Sequence, residues 1–212
     1  MMLAKTKIDG ETFTHKILWQ CCLMQIETAR RRKRGAQYFH MSAMLMAYLT
    51  YEAYINFLGE RLAPDEWAKE REFFRKEPYQ GIEGKLKLIS EKSFIVGIEK
   101  GKRPYQTIIN LKKFRDFLSH GKPNKYSKTI QHTRDNMPPL FGNYDKIDSL
   151  VTPEQAEIAV EDVEEFIRFL HEQVKKINKF DTPDSWIMQD SPLNGALGHV
   201  SSETSTNRLT DL

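Results

Sequence analysis

A chain of 212 residues with 40% hydrophobic and 29% charged residues has the length and composition of one globular domain with a sizeable core. Its net charge of +3 permits nucleic acid as a partner without demanding it. The two cysteines, Cys21 and Cys22, are adjacent and on a helix would point about 100° apart, which excludes a disulfide framework and predicts a reducing, cytoplasmic setting.

The N-terminus lacks the apolar run of a secretory signal, so residues 1–9 read as a short lead. Residues 11–34 predict a first long helix, with Phe13, Ile17, Cys21 and Met24 on its inner side and Gly35 as its stop. Its last turn is the run Arg30, Arg31, Arg32, Lys33 and Arg34. These cations either complement the helix C-terminus or form a patch that contacts RNA phosphates.

Residues 36–62 predict a second helix that is apolar nearly all round, suited to the centre of a bundle or to a dimer seam. Ser42, Thr50, Glu52 and Asn56 interrupt its longest apolar stretch, which argues against a membrane span. Glu52 is the only charge between positions 41 and 58 and needs a cation from another helix, for which Arg115 is the natural candidate. Tyr48, Tyr51, Tyr54, Met44 and Met46 read as packing residues. Short helices follow at 64–76, anchored by Trp67, and at 82–90, then a connection at 94–101.

The stretch 103–123 carries the chemistry. Pro104 suits a first helical turn, Gly121 and Pro123 end the helix, and Ile108, Leu111, Phe114 and Leu118 recur at helical spacing. Arg115 lies among these apolar residues, so it must snorkel, pair with an acid or face something outside the chain. Asp116 and His120 are four apart, a spacing at which a carboxylate can orient an imidazole; Arg115 and Ser119 are four apart as well. Arg115 and His120 point about 140° apart on an ideal helix. Either the last turn unwinds at Gly121 and swings His120 round, or a second chain completes the site.

The run Arg115-Asp116-Phe117-Leu118-Ser119-His120 resembles the Arg-x4–6-His motif of HEPN domains. Two further features are similar to members of that family: an earlier helix with Tyr51-Glu52-Ala53-Tyr54-Ile55-Asn56, and Gly121-Lys122-Pro123 after the motif. The resemblance covers roughly residues 36–180. It implies a metal-independent endoribonuclease without cofactor, often a toxin or defence protein with an antitoxin partner, whose motif residues from two subunits meet in one cleft. Arg115 and His120 would be catalytic and Asp116 the polar residue beside them, where many nucleolytic members carry Asn. Glu52 is added from the charge argument alone, as the group that positions Arg115. The residue types suit such chemistry: arginine neutralises charge gathering on a phosphate, and histidine moves a proton near neutral pH.

Residues 121–151 show no helical period and carry Lys122, Lys125, Lys128, His132 and Arg134, as a substrate-contacting flap or an uninvolved excursion. Thr152, Pro153 and Gln155 then form a strong helix start. Val163, Phe166, Ile167, Leu170, Val174 and Ile177 carry the last helix to about residue 180, with His171 read as surface. From 181 the composition turns to Ser, Thr, Asn, Pro and Gly, a flexible tail or an arm that docks onto a partner. The whole predicts an all-α, up-and-down bundle of four to five main helices over 1–180, with 181–212 as the tail. A homodimeric endoribonuclease is the first functional expectation. A non-catalytic, dimeric helical module that binds RNA or protein is the second.

Overall fold

The computed structural model describes residues 3–121, 146–176 and 191–207, together with 127, 129 and 131. Eight helices run in the order α1 (Thr14–Arg31), α2 (Ala36–Leu62), α3 (Pro64–Ala68), α4 (Glu70–Phe73), α5 (Gly81–Lys92), α6 (Tyr105–His120), α7 (Lys146–Leu150) and α8 (Pro153–Lys175) among the described residues. The expected all-α bundle is present. Its long central member is α2, which packs against α1, α3, α5, α6 and α8.

That position follows from composition. Ala43, Ala47, Tyr48, Tyr51, Tyr54, Ile55 and Leu58 distribute apolar surface around α2, and all are buried within the one chain. The apolar surplus expected for a dimer seam on this helix is therefore largely consumed internally. Thr152 caps α8 by accepting a hydrogen bond from the Gln155 N–H at 3.1 Å, with Pro153 in the first turn. Val163, Phe166, Ile167, Leu170 and Val174 are buried from α8, as the periodicity predicts.

Three sequence expectations need correction. The inner face of α1 is His15, Trp19, Cys22, Ile26 and Ala29, whereas Ile17 and Met24 are exposed. Alternating steps of four and three keep these residues on one stripe, and that stripe includes the largest apolar group, Trp19. His171 is buried at 2% exposure, not on the surface, and its Nδ1 shares a hydrogen bond with the Tyr54 hydroxyl at 2.9 Å. Its sequence neighbour Glu172 is charged, but its helical neighbours Ile167 and Val174 face the core. Finally, α7 lies in the stretch expected to lack helical period.

The chain ends differ most from expectation. Residues of the lead and of the tail form β1 (Leu3–Thr12) and β2 (Gly198–Asn207), an antiparallel pair with Ile8 opposite Ser202 and Thr12 opposite Gly198. Just before β2, Leu193 is buried in the core, and the Phe13 N–H donates to the Leu197 carbonyl at 2.8 Å. Residues 191–207 are thus tied to the N-terminal strand. Residues 177–180, expected as the end of the last helix with Ile177, and 181–190 and 208–212 of the expected tail lie outside the described residues.

This closure surrounds His15, which is 1% exposed with its ring 4.6 Å from Phe57 and 5.3 Å from Tyr54. Burial, aided by the charges of Lys16, Arg61 and His171, lowers its pKa from 6.5 to about 3, against a raising backbone hydrogen bond to Pro192. The unfolded chain therefore binds a proton that the folded chain refuses between about pH 6.5 and 3. The neutral-His15 contribution is complete above about pH 6.5 and is lost as pH falls, at roughly 1.4 kcal/mol per unit. At about pH 5 the native state should be weaker by about 2 kcal/mol from this group. Urea unfolding of wild type and His15→Leu at pH 7.5 and 5 measures it, and the substitution should remove that part of the pH slope.

Candidate active site at the end of α6

The N-terminal end of α6 is fixed by an ion pair that the sequence reading missed. Asp162 on α8 is 2% exposed and accepts from Arg103 Nε at 2.7 Å and Nη2 at 2.8 Å, and also from the Thr107 hydroxyl. A buried carboxylate held by a bidentate guanidinium sets the register of α6 against α8. Its signal in the sequence was one acid on the apolar stripe of α8.

At the other end of α6, Arg115 and Glu52 pair as the charge argument predicts. Arg115 Nη2 donates to Glu52 Oε1 at 2.5 Å, and Nη1 lies 2.9 Å from Asp116 Oδ1. The guanidinium carbon sits 5.3 Å from the centre of the Tyr48 ring, a cation–π distance. Side-chain exposures of 31% for Arg115 and 24% for Glu52 place the pair at the rim of the core. Burial opposes the Arg115 charge, but Glu52 and Tyr48 more than offset it, so its pKa lies above the ordinary guanidinium value. The Tyr48 hydroxyl is raised well above 10 by burial and by Glu52.

Asp116 serves the arginine and not the histidine, because no hydrogen bond joins it to His120 among the described residues. Ser119 and His120 are exposed, and α6 stays helical through His120. Gly121 then takes φ +55, and its N–H donates to the Leu118 carbonyl at 3.2 Å. The last turn does not unwind. Arg115 and His120 of one chain consequently face different directions.

The basic run does not form one patch. Helix α1 stops at Arg31; Arg30 makes a two-pronged contact with Glu157 at 2.8 and 2.6 Å, and Arg31 pairs with Glu27. Arg32 lies over the Phe39 ring at 5.0 Å, leaving Lys33 and Arg34 exposed beyond the helix. Lys122 and Lys125 lie outside the described residues.

One cleft borders α6, and another borders Glu52. The first, of about 400 Å³, lies between α6 and α8, lined by Met44, Asn110, Phe114, Phe117 and Gln155, without Arg115 or His120. The other, of about 470 Å³, has Glu52 in its wall together with Asn56, Arg71, Phe74, Arg75 and Lys85. Comparison with protein families, curated proteins and solved structures found no match to this chain. Among the described residues, no helix is long and apolar enough to cross a membrane.

Proposed function

We propose that the protein is an endoribonuclease of the HEPN type that works without a metal ion, with its cleft completed by a second copy of the chain. The observation that carries this reading is the setting of Arg115. It is held at the core rim by Glu52, Asp116 and Tyr48, five residues before an exposed His120 at the helix end. A guanidinium fixed in this way is preorganised to meet charge on a phosphate. Because α6 is helical through His120, a cleft containing both groups draws them from two chains.

In the proposed reaction the ribose 2′-oxygen attacks the adjacent phosphorus, the O2′–P bond forms and the P–O5′ bond breaks. One His120 takes the 2′-hydroxyl proton, and the His120 of the twin copy gives a proton to the departing 5′-oxygen. Arg115 stabilises the negative charge on the phosphoryl oxygens in between. The expectations of a toxin or defence role, and of an antitoxin partner, belong to this reading.

The chemistry of the products tests it. Single-stranded RNA incubated with purified protein in chelator should yield fragments ending in 2′,3′-cyclic phosphate, and 2′-deoxy substitution at the cut position should block cleavage. Cleavage that survives 2′-deoxy substitution would contradict the proposal. A second reading, a dimeric helical module without catalysis, is favoured by one observation. Both terminal nitrogens of Arg115 already contact carboxylates, so a phosphate is left only the remaining N–H groups and must compete with two acids for the charge. For that module, RNA stays intact and Asp116→Asn changes nothing; for the nuclease, Asp116→Asn retains cleavage because it removes a charge that competes for Arg115 while keeping a polar neighbour. Sedimentation should show a dimer at micromolar concentration under either reading, and a monomer would remove the shared cleft.

A further inference from the structure

Of the ten arginines among the described residues, six are neutralised at home. Arg30, Arg31, Arg61, Arg103, Arg115 and Arg168 each pair with a carboxylate. Arg71 on α4 and Arg75 just beyond its end are exposed and have no carboxylate partner among the described residues. Both line the groove of about 470 Å³ whose wall includes Glu52. Glu52 is committed to Arg115, so the groove adjoins the proposed catalytic guanidinium.

The remaining charges in that groove cancel. Lys85 is buried, donating to Asn56 Oδ1 at 2.8 Å and to Glu70, and lies near the Trp67 and Phe74 rings at 5.7 and 5.4 Å. Glu70 is thus matched by Lys85 and Glu52 by Arg115, leaving two guanidiniums unmatched along a concave surface. Unmatched arginines in a groove suit phosphate oxygens, which accept forked hydrogen bonds. We propose that this groove holds the RNA strand flanking the cleaved bond, with Arg71 and Arg75 on its phosphates. This inference rests on the nuclease reading of Arg115 and His120, and assigns the path by which substrate reaches them.

A binding measurement separates the two ideas. In the His120→Ala protein, a fluorescein-labelled single-stranded oligoribonucleotide in chelator reports affinity by anisotropy. Arg71→Gln with Arg75→Gln should raise Kd about tenfold and lower the slope of log affinity against log salt by about 1.4, as two lost phosphate contacts at ~0.7 each. A charge-matched control, Lys7→Gln with Lys102→Gln, should change Kd by less than about threefold. Equal effects from the two pairs, or no RNA binding at all, would overturn the groove assignment. If the parent protein cleaves RNA while both pairs bind alike, the groove falls and the nuclease reading stands. If Arg71 and Arg75 govern binding but the parent cleaves nothing, the groove stands and the nuclease reading falls.

Discussion

Arg115→Ala is expected to lower RNA cleavage by about 10²–10³, the cost of removing a donor aimed at a developing oxyanion. The same change strands Glu52, a 24%-exposed carboxylate that would lose its hydrogen-bonded cation. Some thermal stability should therefore go with the activity, and the two effects must be read apart. Arg115→Lys does so. It restores a positive charge near Glu52 but cannot contact Glu52 and a phosphate through a planar fork. Melting temperature should return most of the way with lysine while the rate constant does not. A lysine variant as active as wild type would mean that Arg115 supplies charge to the fold and nothing to the reaction.

Among the glycines of the described residues, Gly84→Ala should be the most damaging substitution. An ideal Cβ at Gly84 would sit 1.9 Å from the Tyr79 carbonyl carbon and 2.0 Å from its oxygen. Those are backbone atoms of the turn entering α5, where the Gly81 N–H donates to the Phe74 carbonyl at 3.0 Å. Relieving the clash means moving that turn, at a cost of 3 kcal/mol or more, a large share of a typical domain's stability. Gly59→Ala is the useful comparison. Its Cβ meets the Trp67 side chain at 2.0 Å, and a side chain can tilt where a carbonyl cannot. Urea unfolding should rank Gly84→Ala below Gly59→Ala, with wild type the most stable. The reverse order would show that the approach of Tyr79 to α5 is not a fixed feature of the fold.

Much of the bundle was legible because its signals are local. The bounds of α2, the cap at Thr152 and the stop at Gly121 rest on residue types that act within one turn of themselves. The Glu52–Arg115 pair was legible for a different reason. Each is a charge on an otherwise apolar face, so each calls for an opposite charge from another helix.

What the sequence concealed is non-local. Glu157 lies 127 residues from Arg30, so nothing near the basic run reveals that its first member is already neutralised. Strands β1 and β2 alternate Lys, Thr, Asp and Ser with little apolar content, and Ile8 and Val200 are exposed. A ribbon wet on both faces carries no period-two hydrophobic signal. Spacing leaves Asp116 free to hold the His120 imidazole or to shape Arg115, and its carboxylate lies against Arg115. A guanidinium on the adjacent residue is always charged and offers forked N–H donors to a carboxylate.

RNA cleavage by wild type and His120→Ala, compared in chelator with folding checked by circular dichroism, bears most directly on the central claim. His120 is exposed, so its removal should leave the fold intact while cleavage drops by about 10²-fold or more. Intact RNA with the wild-type protein, or equal cleavage by the folded variant, would contradict the assignment of Arg115 and His120 as a nuclease site.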